Sequence, residues 1–133
     1  MKKETIMLVE DQEIDIKIVQ KIMSQRKVPI ELDCHITGEK AMEQLRKTTP
    51  AEMPKLILLD LNMPVMDGFE FLESYQHEIH QKRPQTRIVV LTSSFLDTDK
   101  QRAIQYKFVE DYWQKPFGKT QLDQLLKLLG EVK

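Results

Sequence analysis

The stretch LILLDLNMPVMDG, residues 56–68, decides the fold of this chain. Four apolar residues are followed at once by Asp60 and then by a loop that contains Pro64 and Gly68. A short apolar run bounded by turn residues predicts a strand that is covered on both faces, as the strands of parallel sheets are. The carboxylate that ends this strand is then expected at the edge of the sheet, where open α/β sheets bind their ligands.

Strands and helices alternate along the rest of the chain. Short apolar runs that fit strands also occur at residues 5–9, 30–36, 87–92 and 111–114, and segments with helical spacing lie between them, at residues 13–23, 38–47, 68–79, 97–106 and 119–129. Parallel neighbours need crossover helices, so this alternation predicts a doubly wound α/β fold, a five-stranded parallel sheet with helices on both faces. The length of 133 residues fits one domain.

The first helix is predicted from the spacing of its apolar residues. Those interpreted as one buried face are Ile14, Ile18, Val19, Ile22 and Met23. Basic residues in the last turn and a proline beyond it are typical of a helix end. The helix is therefore predicted to end with Arg26 and Lys27, before Pro29.

Composition and charge exclude several classes of function. A formal net charge of -1 gives no basic surface for nucleic acid or anionic lipid. No stretch approaches the roughly 18 apolar residues of a membrane span, and the apolar run at residues 5–9 is too short for a signal-peptide core. The single cysteine excludes an intramolecular disulfide. We therefore expect a cytoplasmic protein that binds neither nucleic acid nor a membrane.

Cys34 and the three histidines are not predicted to carry chemistry. No pattern around Cys34 indicates an activated thiol, and we interpret this residue as a small buried hydrophobe. His35, His77 and His80 lie in segments away from the acids that end the strands. They are interpreted as solvated surface residues rather than as zinc ligands.

Polar residues follow four of the predicted strands. They are Glu10 and Asp11 after the first strand, Asp60 after the third, Thr92 and Ser93 at the end of the fourth, and Lys115 after the fifth. Because the carboxyl ends of parallel strands meet at one edge, these side chains are expected to share a crevice. Three carboxylates in one crevice repel each other unless a cation offsets their charge. All the candidate ligands are oxygens, which favours Mg²⁺ over zinc.

An aspartate in this setting can act as a nucleophile toward a phosphoryl group. Such a transfer requires in-line positioning and neutralisation of the three equatorial oxygens. A metal ion, Lys115 and the Thr92 hydroxyl could serve these oxygens. Taken alone, a threonine at a strand end equally fits a turn cap, and a tyrosine such as Tyr112 equally fits the core.

The chain resembles the receiver domains of two-component response regulators, and among them the single-domain chemotaxis-type members. The motifs that carry the resemblance are LVED (8–11), LLDLNMPVMDG (58–68), VLTSS (90–94) and YWQKPF (112–117), in the order and spacing of the family. The resemblance implies a flavodoxin-like sheet with strand order 2-1-3-4-5. It also implies a receiver domain over residues 3–130, with no output domain.

The resemblance implies a role for each matching residue. Asp60 would be the phosphoacceptor, Thr92 would hydrogen-bond the phosphoryl group, and Lys115 would form an ion pair with it. Tyr112 would be the aromatic switch residue, whose rotamer follows Thr92.

A metal site is implied in the same way. Mg²⁺ would be bound by Asp11, Asp60 and the backbone carbonyl of Asn62, with Glu10 acting through a coordinated water. Asn62 and Ser94 occupy the two positions that in this family tune access to the phosphoryl group.

The partners of the family complete these expectations. A sensor histidine kinase or a histidine phosphotransfer protein would donate the phosphoryl group, and an unknown downstream protein would bind the face of the fourth helix, fifth strand and fifth helix. The protein would be a phosphoacceptor and signalling protein rather than an enzyme, with only self-catalysed phosphotransfer and autodephosphorylation. A monomer or a weak homodimer is expected.

Three other functions compete with this one. A phosphatase of the haloacid-dehalogenase type needs a second acid two residues after its nucleophile, and Asn62 stands there. A flavodoxin-like electron carrier needs a phosphate-binding loop after the first strand, where the acidic EDQEID (10–15) would repel a flavin phosphate. A pseudo-receiver or a phosphorelay intermediate that acts as a binding module is retained as the alternative.

Overall fold

The computed structural model describes residues 4–26 and 30–130 of the chain. Its strands are β1 (Glu4–Val9), β2 (Ile30–His35), β3 (Leu56–Leu59), β4 (Arg87–Thr92) and β5 (Val109–Gln114). Its α-helices are α1 (Glu13–Ser24), α2 (Gly38–Lys47), α3 (Gly68–Tyr75), α4 (Asp97–Ile104) and α5 (Lys119–Leu128). All paired strands are parallel, in the order β2-β1-β3-β4-β5, which confirms the predicted sheet and its order.

The sheet separates two apolar cores, because successive residues of a strand face opposite sides. Met7 and Val9 of β1 pack with buried residues of α2, α3 and α4. Ile6 and Leu8 of the same strand pack with α1 and α5. β3 is buried over its whole length, and β4 is buried from its second residue onward, as their continuous apolar runs predicted.

The buried face of α1 agrees with the predicted one except at Ile14. Val19 and Met23 are buried, but Ile14 is 68% exposed, so its assignment to the buried face was wrong. Ile16, which was not predicted, packs against the core, and so do Ile18 and Ile22, as predicted. Residues at i, i+3 and i+7 share one side of a helix, and here these are Ile16, Val19 and Met23. The side chain just before Ile16, that of Asp15, is thereby turned toward the end of the sheet.

α1 ends at Ser24, earlier than predicted. Arg26 follows the helix and forms an ion pair with Asp123 of α5. Lys27 and Pro29, which were predicted to mark the end of this helix, lie outside the described residues, as does residue 3, the predicted start of the domain.

The loop after β3 is shaped by the start of α3. Asp67 Oδ1 accepts a hydrogen bond from the Glu70 N–H at 2.9 Å, and Glu70 Oε1 accepts one from the Asp67 N–H at 3.2 Å, which together form a capping box. The N–H of Gly68 donates to the carbonyl of Leu61 at 2.8 Å. Val65 has a φ of 67°, which is uncommon for a β-branched residue. Asp67 and Gly68 thus shape the loop, as predicted, and return it to the end of β3.

The other boundaries lie close to the predicted ones. α3 continues as a π-helical turn over Gln76–His80, so the helical segment reaches the predicted end near residue 79. α4 ends at Ile104, slightly before the predicted end, and β5 begins at Val109, slightly earlier than predicted. In the part of the chain that the structure describes, no helix has the length and apolar character needed to cross a membrane.

Cys34 and two of the histidines are placed differently from the prediction. Cys34 is half-buried rather than buried, and burial raises the pKa of its thiol, which fits an unreactive role. His80 packs against Phe108 in a tilted arrangement with 4.8 Å between ring centroids, and His35 is half-buried beside Asp33.

Candidate functional site

Three carboxylates lie together where β1 and β3 end. Glu10 and Asp11 follow β1 and Asp60 follows β3, and carboxylate oxygens of the three lie within 4.8 Å of one another. The N–H of Asp60 donates to the carbonyl of Val9 at 3.1 Å, and the N–H of Glu10 donates to the carbonyl of His35 at 3.0 Å. These bonds continue the parallel ladders past the strand ends, so the register of the sheet brings the acids together.

Two of these acids are almost completely removed from solvent. Glu10 is 2% exposed and Asp60 is 3% exposed. Burial raises the pKa of Glu10 to about 7, against the lowering effect of its hydrogen bond to Lys115, and the negative charge of Asp60 adds to the increase. Two buried carboxylates side by side need a cation.

Lys115 supplies a cation to this crevice. Its Nζ lies 2.6 Å from Glu10 Oε1, 2.8 Å from Asp15 Oδ2 and 3.3 Å from Asp60 Oδ2. Burial by itself would lower the pKa of Lys115, but the hydrogen bonds to Asp15 and Glu10 and the charge of Asp60 outweigh it and raise the pKa. The ammonium therefore stays charged and joins the loop after β5 to the ends of β1 and β3 and to α1.

Thr92 and Lys115 are brought together by the pairing of β4 with β5. The N–H of Lys115 donates to the carbonyl of Thr92 at 2.9 Å, and the Lys115–Pro116 peptide bond is cis. Thr92 is fully buried, and its hydroxyl accepts a hydrogen bond from the N–H of Ser94 at 3.3 Å. In this state the hydroxyl caps the turn after β4.

Tyr112 lies on β5 and packs against the core on the side of α2, α3 and α4. Its hydroxyl is buried and has no hydrogen-bond partner among the described residues. Burial raises the pKa of this phenol. A buried hydroxyl without a partner costs free energy, so a rotamer that gives it one would relieve that cost.

The acid cluster fits a hard divalent cation. Its donors are carboxylate oxygens, the ligands that Mg²⁺ takes. Asp11 Oδ1 is buried and has no hydrogen-bond partner among the described residues, and a cation would satisfy it. The N–H of Asn62 donates to Asp60 Oδ1 at 3.2 Å, which holds Asn62 beside the cluster. Coordination through the carbonyl of Asn62 stays a prediction.

Reasoning from the sequence missed Asp15. This residue lies in the first turn of α1, and its carboxylate is closer to Lys115 Nζ than that of Asp60 is. A signal was present, because Asp15 stands four residues after Asp11 and four before the buried Val19, a spacing that places it on the inward face. Because Ile14 was assigned to that face, the neighbouring Asp15 was not recognised as an inward-facing residue.

Comparison with known proteins decides the family. A sequence model of the response regulator receiver domain matches residues 6–127. The chain belongs to this family. Receiver domains act in two-component signalling rather than as conventional enzymes. Response regulator Rcp1 of Synechocystis is similar to this receiver domain, with 37% identity over 97 residues that cover 71% of this chain and 65% of Rcp1.

Solved structures of response regulators share the fold of this receiver domain. The phosphorylated cyanobacterial phytochrome response regulator RcpA is 32% identical, with a TM-score of 0.76 over 97% of this chain and 92% of RcpA. The Mn²⁺-bound form of Rcp1 is 30% identical, with a TM-score of 0.73 over 93% of this chain and 89% of that one. The predicted flavodoxin-like receiver fold is therefore confirmed.

The sequence match covers just under two thirds of the length of Rcp1, and 12% or less of the length of the histidine kinases that also match. The relatives of this receiver domain thus include both response regulators and histidine kinases of much greater length.

Proposed function

We propose that this receiver domain accepts a phosphoryl group on Asp60 from the phosphohistidine of a sensor histidine kinase or a histidine phosphotransfer protein. The observation that carries the proposal is the contact of the buried Asp60 carboxylate with the Lys115 ammonium, beside two further acids. A carboxylate that is 3% exposed and paired with a cation is typical of a functional site rather than of a solvated surface.

In the transfer, a carboxylate oxygen of Asp60 attacks the phosphorus atom. A phosphorus–oxygen bond forms while the phosphorus–nitrogen bond of the phosphohistidine breaks, and the electron pair returns to the imidazole of the donor. A carboxylate attacks without giving up a proton in the step, so the chain does not need to supply a strong general base. Positioning and charge neutralisation are the remaining requirements.

The chain's own residues meet these requirements in part. Lys115 donates to one phosphoryl oxygen, and the Thr92 hydroxyl donates to a second one after it leaves the N–H of Ser94. A hydroxyl can change from acceptor to donor by rotation, because it carries both functions.

Mg²⁺ would be held by Asp11, Asp60 and the carbonyl of Asn62, with Glu10 acting through a water. When bound, it would supply Lewis-acid neutralisation of the remaining phosphoryl charge. Asp11 Oδ1, which has no hydrogen-bond partner within residues 4–26 and 30–130, supports a divalent ion at this place, and so does the Mn²⁺-bound structure of the similar Rcp1. Glu10 and Asp60 are mostly buried, so water has limited access to the reacting oxygens.

The signal is proposed to be a population shift. When Thr92 turns toward the phosphoryl group, the space that it leaves admits the ring of Tyr112, and the face formed by α4, β5 and α5 changes shape. Phe95 and Leu96, just before α4, are 80% and 63% exposed. They would give a downstream protein an apolar contact on this face. A cytoplasmic location and a monomer or weak homodimer are parts of the same proposal.

The test uses the full chain with Mg²⁺ and acetyl phosphate. We expect the intact mass to rise by one phosphoryl group and the emission of Trp113, the single tryptophan, to change. Trp113 reports on β5 because it follows Tyr112 directly and packs against Phe117. EDTA should abolish both effects.

Two variants locate the acceptor. Asp60→Asn should form no adduct, whereas Asp97→Asn, which removes an exposed acid at the start of α4, should behave as the wild type. A stable adduct in Asp60→Asn would contradict the site assignment. A wild-type chain that forms no adduct and binds no beryllium fluoride would favour the pseudo-receiver instead.

A further inference from the structure

Lys115 has a third acidic partner that the phosphoacceptor role does not explain. Asp15, in the first turn of α1, accepts a hydrogen bond from Lys115 Nζ at 2.8 Å. It lies outside the group of three acids whose oxygens cluster for a metal. It connects the start of α1 to the loop after β5, two segments that are about a hundred residues apart in sequence.

The Lys115 ammonium has three hydrogen-bond donors and three acidic partners in this state: it donates hydrogen bonds to Asp15 and Asp60 and forms an ion pair with Glu10. The contacts with Glu10 and Asp15 are the short ones, at 2.6 Å and 2.8 Å, and the contact with the acceptor Asp60 is the long one, at 3.3 Å. The lysine therefore binds most closely to the two carboxylates that do not receive the phosphoryl group. A phosphoryl oxygen that needs this lysine has to replace one of its present partners.

Asp15 is the partner that can be replaced at the lowest cost. Its side chain is 26% exposed, whereas that of Glu10 is 2% exposed. A carboxylate that loses its cation is stabilised by water where water can reach it, and strongly destabilised where water cannot. The exchange of Asp15 for a phosphoryl oxygen is therefore favoured over the exchange of Glu10.

We propose that Asp15 is a positioning residue that holds Lys115 on the side of α1 in the unphosphorylated state and releases it to the phosphoryl group. This inference rests on the proposed function of Asp60. Asp15 competes with the phosphoryl group for one cation, so it stabilises the unphosphorylated state and lowers the apparent affinity for the phosphoryl group.

This competition predicts the direction in which the affinity for a phosphoryl mimic changes when Asp15 is replaced. Removal of the Asp15 charge should strengthen binding of beryllium fluoride, the phosphoryl mimic, by about two- to fivefold at saturating Mg²⁺, the range expected for one partly exposed charge pair. Binding of Mg²⁺ alone should not become stronger, because the freed lysine remains with Glu10 and Asp60. If Asp15 only stabilised the structure of the site, its removal would weaken binding of the mimic and binding of Mg²⁺ alike. The two titrations therefore distinguish a positioning role from a structural one.

The experiment titrates the full chain with beryllium fluoride at saturating Mg²⁺, and separately with Mg²⁺ alone, by calorimetry and by Trp113 fluorescence. The variants are Asp15→Asn, Asp15→Ala as a second way to remove the charge, and Asp15→Glu, which keeps a carboxylate. The matched control is Glu13→Gln. It removes one acid from the same helical turn, where Glu13 is exposed and pairs with Lys17.

We expect tighter mimic binding in Asp15→Asn and Asp15→Ala, near wild-type binding in Asp15→Glu, and no change in Glu13→Gln. Equal or weaker mimic binding in both charge-removing variants, beside normal binding by the wild type, would overturn the role of Asp15 and leave the proposed function intact. A wild-type chain that does not bind the mimic would instead overturn the proposed function, and the role of Asp15 with it.

Discussion

Ser94 Oγ donates a hydrogen bond to Asp99 Oδ2 at 2.7 Å, which ties the loop after β4 to the first turn of α4. The same hydroxyl accepts a hydrogen bond from the N–H of Leu96 at 3.3 Å. The N–H of Ser94 in turn donates to the Thr92 hydroxyl. These hydrogen bonds thus lead from the buried hydroxyl of Thr92 to α4, which forms part of the proposed output face.

The bond between Ser94 and Asp99 should be visible as a coupling energy. We expect Ser94→Ala and Asp99→Ala each to lower the free energy of unfolding by about 1 kcal/mol, and the double variant to lower it by less than the sum. Urea denaturation measures all three. Asp97→Ala, in the same turn, controls for the favourable effect of an acid at a helix start. Strictly additive losses would show that the two side chains do not stabilise each other.

Gly68 is predicted to tolerate no side chain. A Cβ at this position would lie 2.5 Å from Leu61 Cα and 2.8 Å from the carbonyl oxygen of Asp60, so the backbone beside the acceptor would have to move. Gly68→Ala should therefore lower the free energy of unfolding by about 1–3 kcal/mol and weaken mimic binding. Gly118→Ala is the control, because its nearest contact would be Gln121 Oε1 at 3.4 Å. Equal losses in the two variants, by urea denaturation, would contradict the close approach.

Removal of the Lys115 charge should lower the free energy of unfolding more in the absence of a metal ion than in its presence. Lys115→Met leaves the buried carboxylates of Glu10 and Asp60 without a cation, so we expect the free energy of unfolding in EDTA to fall by about 3–5 kcal/mol. Mg²⁺ should restore part of this stability and raise the Tm of the variant more than that of the wild type. The exposed Lys119→Met serves as the control. If Mg²⁺ raises the Tm of Lys115→Met and of the wild type by the same amount, the proposal that the metal binds in this crevice is contradicted.

Ionisation of Tyr75 should lower the free energy of unfolding at high pH. Its hydroxyl is buried without a partner among the described residues, and burial raises the pKa of Tyr75 to about 12. The unfolded chain, with a tyrosine pKa near 10, loses this proton first, so the stability contributed by the neutral phenol is fully present below about pH 10 and is lost as pH rises toward 12.

Tyr75→Phe should therefore be neutral or slightly stabilising at pH 7, by up to about 1 kcal/mol, and should lose less stability than the wild type between about pH 10 and 12. Urea unfolding at pH 7 and pH 11 measures both effects. Tyr106→Phe is the contrasting variant, because the Tyr106 hydroxyl donates to Glu73 at 2.8 Å, and its removal should cost stability at pH 7. An unchanged alkaline loss in Tyr75→Phe would contradict the assignment.

Most of the fold could be predicted from local patterns. The continuous apolar runs of β3 and β4 and the polar residues that end them are properties of neighbouring residues, and they predicted both the strands and the sheet edge that bears the acids. The outcome for α1 was different. Its isoleucines Ile14, Ile16, Ile18 and Ile22 fit more than one helical face, and only the packing of the core showed that Ile14 is exposed while the other three contact the core.

The sequence by itself determined the order of strands and helices, the family, and the set of acids, hydroxyl and lysine proposed to form the site. These follow from residue type and spacing along the chain. The tertiary structure decided how the ammonium of Lys115 is shared among Glu10, Asp15 and Asp60, and it introduced Asp15 into the site. The physical reason is that the strength of a charge pair depends on its burial and on the distance between its two groups. When the two groups lie on segments that are remote in sequence, a local sequence pattern predicts neither quantity.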